Sequence, residues 1–151
     1  MMNPRTASQI LSKVQGILSV KRTSSVTVVG HSLGAALALL DGVFLSLHIP
    51  KELVTVVGYG MPRVGNRAFA NFVDSQLGGR VKHVNNKEDP IPTVPPMLLG
   101  YHHPSGEIHI QDSGAWGACT GAFPSLCLCL FLVWCGSIDR VLTLCKLSRS
   151  G

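Results

Sequence analysis

A chain of 151 residues holds one domain and falls short of two. Hydrophobic residues at 46% and charged ones at 14% exclude intrinsic disorder for the bulk of it, along with collagen, coiled coil and acidic tail. The net charge of +5 contains no run of Lys and Arg, so neither a nucleic-acid partner nor an anionic-membrane stripe is expected.

Met1 to Pro4 opens almost directly into an amphipathic pattern. Ile10, Leu11, Val14, Ile17 and Leu18 fall on one face of a helix, which predicts a helix over 6–20. No apolar stretch follows a basic start, so no signal peptide is read and no compartment is assigned.

Residues 25–30 (SVTVVG) form a β-branched run ending in Gly, as a buried strand does. Gly30-His31-Ser32-Leu33-Gly34 follows, and then a strong helix former runs from Ala35 to about His48, stopped before Pro50. Strand, Gly-x-Ser-x-Gly, helix is the setting of a nucleophile elbow. Ser32 stands on a tight turn, where side chains at the flanking Gly30 and Gly34 are expected to collide with the strand and helix. The turn lifts the Ser32 hydroxyl above the sheet edge, beside a helix N-terminus. There the Leu33 N–H and the helix dipole can receive an oxyanion.

The following residues alternate as α/β chains do. A second buried strand is predicted at 53–58, a helix at 66–78 with Phe69, Phe72, Val73 and Leu77 as its apolar stripe, and a third strand at 80–85. Glu107–Gln111 alternates as an edge strand. The loop after the third strand carries Asp89, at the place in the Ser, acid, His order where an α/β-hydrolase puts its triad acid. Asp89 also stands before Pro90, where an Asp ordinarily starts a turn. Glu88 is the rival acid.

Three segments together resemble the class 3, fungal-type triacylglycerol lipases: VVGHSLGAALA (28–38), YGMPRVGN (59–66) and NKEDPIPTVPP (86–96). Residues 100–103 (GYHH) followed by 107–110 (EIHI) are similar to that family's next signature, so the likeness covers roughly residues 9–112. It implies a partial α/β-hydrolase fold, a mostly parallel sheet with flanking helices. It also implies a serine carboxylic-ester hydrolase with Ser32 as nucleophile, Asp89 as triad acid and the Leu33 N–H as oxyanion donor. The implied substrates are acylglycerols or other carboxylic esters at a lipid interface, with no cofactor and a family mostly secreted. Arg63 and Asn66 match a motif position read as structural.

The departures are equally specific. A triad needs a His after the acid, in reach of both the hydroxyl and the carboxylate. The family places it beyond the 107–111 strand, and no His follows His109 in this sequence. His102, His103 and His109 are weak candidates. His31 precedes the nucleophile and is expected to point away from its hydroxyl, while His83 lies before the acid loop. Only 31 residues precede Ser32, too few for the earlier strands and the second oxyanion donor, so the triad and the domain are expected to be incomplete.

The last segment has another vocabulary. Residues 1–112 carry 17 of the 21 charged residues and all six His; residues 113–151 carry all five Cys, namely Cys119, Cys127, Cys129, Cys135 and Cys145. Leu126–Cys135 is uninterruptedly apolar but shorter than the ~20 residues a spanning helix needs. Cys127-x-Cys129 lacks the gap of roughly two to four residues that zinc ligands use, so no metal site is read. The expected division is therefore 1–112 as the central part of a lipase-like domain and 113–151 as a tail outside the fold. No protein partner is evident. The alternative function is a non-catalytic lipase fragment, mis-spliced or mispredicted, or a membrane-associating binding module.

Overall fold

The computed structural model describes residues 4–21 and 25–119. Its elements in chain order are α1 (Pro4–Lys21), β1 (Val26–His31), α2 (Leu33–Ser46), β2 (Val54–Tyr59), β3 (Gly65–Asn66), α3 (Arg67–Leu77), β4 (Val81–Asn86), β5 (Tyr101–His102), β6 (Glu107–Ile110) and β7 (Trp116–Cys119). Five strands form the main sheet in the order β1-β2-β4-β6-β7. The first four run parallel; β7 is antiparallel to β6. The short β3 and β5 pair apart from them.

Crossover connections through α2 and α3 make these neighbours parallel, as the alternating pattern requires. Burial alternates along β2 and β4, and this sorts the sheet into two faces. Val54, Val56, Val81 and His83 are fully or almost fully buried on one face. Against it pack Leu39 and Val43 of α2 and Val73 and Leu77 of α3, forming the core. Leu11, Val14 and Leu18 of α1 join the same cluster. Ile17 and Phe72, which the sequence pattern gave to core faces, are 54% and 40% exposed.

Two expectations change. The predicted edge strand at 107–111 is an interior strand, because β7 covers its outer side. The expected boundary at residue 112 falls inside a hairpin: the Gln111 N–H donates to Ala115 O and the Gly114 N–H to Gln111 O, turning the chain back so that Ile110 pairs with Trp116. The sheet thus takes in residues 116–119. The rest of the expected tail, including Leu126–Cys135, lies outside the described residues. Among the described residues, no helix is long and apolar enough to cross a membrane.

Candidate active site

The elbow is made by backbone geometry. Ser32 has φ 53° and ψ −126°, a conformation that L side chains rarely adopt and that costs about 1–3 kcal/mol. Two things hold it there. The Ser32 N–H donates to Tyr59 O at 2.9 Å, tying the turn to the end of β2, and the Ser32 carbonyl accepts the Ala35 N–H at 2.9 Å, opening α2. Gly30 is obligatory: a Cβ there would stand 2.2 Å from Gly34 O and 2.6 Å from Ala35 N. The collision expected at Gly34 is not found, since a Cβ on that residue meets no described atom within 4 Å. Leu33 opens α2, so its N–H belongs to the first turn, which has no acceptor four residues back.

Asp89 is placed by side chains and turns. Asp89 Oδ1 accepts the Ile91 N–H at 3.0 Å, so this residue does start the turn into Pro90, and Oδ2 is left for other work. Gly60 shows where that oxygen lies. At φ 55° it ends β2, and a Cβ on it would be 2.8 Å from Asp89 Oδ2 and 4.0 Å from His31 Nε2. The Tyr59–Gly60 peptide therefore joins the two halves: its carbonyl holds Ser32, and Gly60 has Asp89 above it. Ser32 and Asp89 stand at the same edge of the sheet, at the carboxyl ends of β1 and β4 with β2 between them. A cavity of about 580 Å³ opens here, lined by His31, Tyr59, Gly60, Asp89, Ile110 and Trp116 among others. Glu88 lines it too, but is exposed and unanchored by any hydrogen bond among the described residues.

Arg63 fastens the loop that follows Asp89. Its Nη1 donates to Thr93 O and, at 2.9 Å, to Pro95 O, while its own N–H donates to Val94 O at 2.9 Å. The sequence reading of Arg63 as structural is thus given a specific object, the loop 90–96. Asn66 caps α3, its Oδ1 accepting the Phe69 N–H at 2.9 Å.

The histidines are mostly committed elsewhere. His83 is completely buried, its Nε2 donating to Pro104 O at 3.1 Å. His103 donates from Nε2 to Pro92 O at 2.9 Å, and the two rings stack with centroids 4.8 Å apart. With Nε2 as donor in each, Nδ1 carries no proton, and both Nδ1 atoms are buried without a partner. Burial pushes His83 down to about 3, and His103 adds to that. His103 is lowered as well, chiefly by burial. His109 lies on β6 with Nδ1 3.9 Å from Glu107 Oε1; Glu107 also accepts from Asn85 Nδ2 at 2.8 Å. β6 is three strand spacings from β1, or roughly 14 Å, out of reach of Ser32. His102 sits on β5, outside the main sheet, and lines a second cavity of about 240 Å³ with Arg63, His83, His103 and His109. Sequence reasoning passed over the roles of Gly60 and of the His83–His103 stack. A Gly directly after a strand end was a visible signal for the first; the second depends on a pairing of β4 with the 103–106 turn that no local pattern carries.

The model of the family described as lipase (class 3) matches residues 1–99. A secreted mono- and diacylglycerol lipase, MDL2, of Malassezia globosa is 46% identical over 106 residues, covering 70% of this chain and 35% of that protein. Lipase II from Rhizopus niveus superposes with a TM-score of 0.66 at 34% identity, covering 78% of this chain and 47% of that one. A triacylglycerol lipase whose catalytic centre is described as a serine protease triad superposes with a TM-score of 0.63 at 34% identity, covering 68% and 39%. The chain thus spans about a third of the length of the curated relative it matches.

Proposed function

The chain belongs to the class 3 lipase family, and from that premise we propose that it carries the nucleophile and acid of a serine carboxylic-ester hydrolase acting on acylglycerols at a lipid interface. The observation that carries this reading is the pairing of a strained Ser32, φ 53°, with Asp89 across Gly60 at one sheet edge. Ser32 Oγ attacks the acyl carbon, the Leu33 N–H at the start of α2 takes up the developing oxyanion, and Asp89 Oδ2 orients the imidazolium of a base. Residues 1–112, extended through the β7 hairpin to Cys119, supply the central part of such a domain.

The base is the weak point. His83 and His103 spend Nε2 on carbonyls, His109 is three strands away, and no His follows it. In serine hydrolases, losing the base costs about 10⁶ in kcat, much the same as losing the whole triad. The 151-residue chain is therefore expected to hydrolyse a short-chain p-nitrophenyl ester no faster than its Ser32→Ala variant. The test of the nucleophile itself is covalent: a fluorophosphonate should label Ser32 slowly and leave Ser32→Ala untouched. Absence of any adduct on Ser32 after long exposure sinks the reading. A second reading, a lipase segment without turnover, is favoured by a specific observation: β1 has no second neighbour among the described strands, and Val29 and Leu33 are 60% and 69% exposed beside it. Turnover by wild type clearly above Ser32→Ala would remove that second reading.

A further inference from the structure

We infer that the turn Met97–Leu99 is a lipid-insertion tip, which docks the carboxyl edge of the sheet on an uncharged acyl surface. Leu98 is 95% exposed, more than any other large hydrophobic residue among those described, and its neighbours Leu99 and Met97 are 67% and 36% exposed. Ile91 and Val94, earlier in the same loop, are exposed as well. An exposed apolar cluster of this kind marks an interaction site. Both ends of the loop are tied to the edge that holds Ser32 and Asp89. It leaves β4 through Asp89 and returns at Tyr101 and His102 of β5, which pair with Asn66 and Gly65 between the end of β2 and the start of α3.

The backbone of the loop is ordered before it meets any partner. Arg63 holds the carbonyls of Thr93 and Pro95, and His103 holds that of Pro92. The turn is closed by the Leu99 N–H on Pro96 O at 3.0 Å and the Gly100 N–H on Met97 O at 2.8 Å. A tip ordered in advance loses little conformational freedom on binding. Chemistry selects the occupant. Residues 90–101 contain no charged side chain, so the tip offers an ionic headgroup or a charged partner nothing to pair with. On a tight turn of three residues the side chains point about 120° apart, so no single rigid protein surface receives Met97, Leu98 and Leu99 together. A fluid acyl layer does, and its hold grows with the apolar area buried. The inference deepens the reading of an ester hydrolase at a lipid interface, and rests on it, by assigning the part of the chain that makes the contact.

The test is flotation of the full chain with phosphatidylcholine vesicles doped with dioleoylglycerol. Leu98→Glu should bind about tenfold or more weakly than wild type, and Leu98→Phe, which keeps an apolar tip, about as well. Val20→Glu, at a residue 81% exposed on α1, should leave binding unchanged. Because the insertion is apolar, binding should change less than about twofold between about 0.05 M and about 0.5 M salt. The inference is overturned if wild type does not float with the vesicles. It is overturned as well if Leu98→Glu binds as wild type does, which would give the contact to other residues such as the apolar run 126–135. Equal loss in Val20→Glu, or binding that needs anionic lipid and is abolished by salt, would make general stickiness or the net charge of +5 responsible and has the same effect. Fluorophosphonate labelling of Ser32 in lipid-free buffer keeps the two readings apart. An unlabelled chain whose binding still falls in Leu98→Glu upholds the tip and sinks the hydrolase; a labelled chain whose binding does not fall sinks the tip alone.

Discussion

Ser32 and Asp89 reach the same sheet edge by different means. The elbow is held almost entirely by backbone: a residue at φ 53°, a glycine whose Cβ would strike the opening turn of α2, and two hydrogen bonds between peptide groups. The Asp89 loop and the strands beside it are held by side chains: Arg63 on two carbonyls, His103 on Pro92 and against His83, and Asn85 on Glu107. Backbone restraints are indifferent to pH but intolerant of added volume. Side-chain restraints tolerate volume better and depend on protonation. The two halves of one site should therefore fail under different insults.

Acid gives the largest separation. His83 is neutral in the fold, pushed down to about 3 by burial, and regains its ordinary value of 6.5 in the unfolded chain. Between those values the unfolded chain binds the extra proton, so stability falls as pH drops through that window and is fully present above it. The slope from this group alone is about 1.4 kcal/mol for each pH unit. His103, also lowered, adds to it. Urea midpoints measured from about pH 7 to about pH 4 should decline accordingly, and His83→Gln, although less stable at neutral pH, should decline less steeply. Parallel slopes for the two proteins would remove the buried pair as the source.

Volume tests the other half. In Gly30→Ala the new methyl meets Gly34 O, Gly34 C and Ala35 N at 2.2, 2.4 and 2.6 Å, all backbone atoms of the first turn of α2. None can rotate away, so a loss of about 3 kcal/mol or more is expected, together with loss of fluorophosphonate labelling at Ser32. Gly34→Ala supplies the contrast. Its Cβ enters open space on a helix, where Ala is favoured over Gly by up to about 1 kcal/mol, so stability should hold or rise. If both substitutions cost the same, the backbone account of the elbow is wrong.

The difference between the halves also explains what could be read in advance. The elbow is local: strand, turn and helix follow one another from Val26 to Ser46, so its geometry at Gly30, Ser32 and Leu33 is legible in the sequence without any tertiary contact. The parallel order of β1, β2 and β4 followed from alternation and the lengths of the crossovers. Asp89 was located by chain order, but its hold was not, because Arg63 reaches its loop across thirty residues. The same holds for His83, whose acceptor is Pro104. The edge strand at 107–111 and the boundary at 112 were misplaced because composition changes abruptly after Asp112 while the pairing does not. Composition reports vocabulary; a hairpin needs only a turn and backbone groups in register.

The smallest effect is expected at Asn66, where the two kinds of restraint meet. Asn66 follows the Arg63 clamp by three residues, pairs with Tyr101 in the small sheet, and accepts the Phe69 N–H to start α3. α3 in turn carries Asp74, whose two oxygens accept the Ser105 N–H at 2.9 Å and the Ser105 hydroxyl at 2.8 Å, steadying the turn that provides the acceptor for His83. Removing the cap in Asn66→Ala leaves one N–H of the first turn unsatisfied, a loss of about 1 kcal/mol. Asn66→Asp keeps the acceptor and adds a negative charge at a helix N-terminus, so it should stay within a few tenths of wild type. Because the backbone pairing with Tyr101 survives either change, the loss should appear as faster amide exchange at Phe69, with Ser32 labelling unaltered. A change in the labelling rate would mean that the acid side and the elbow are coupled through α3, and that the division between them is less sharp than their separate restraints indicate.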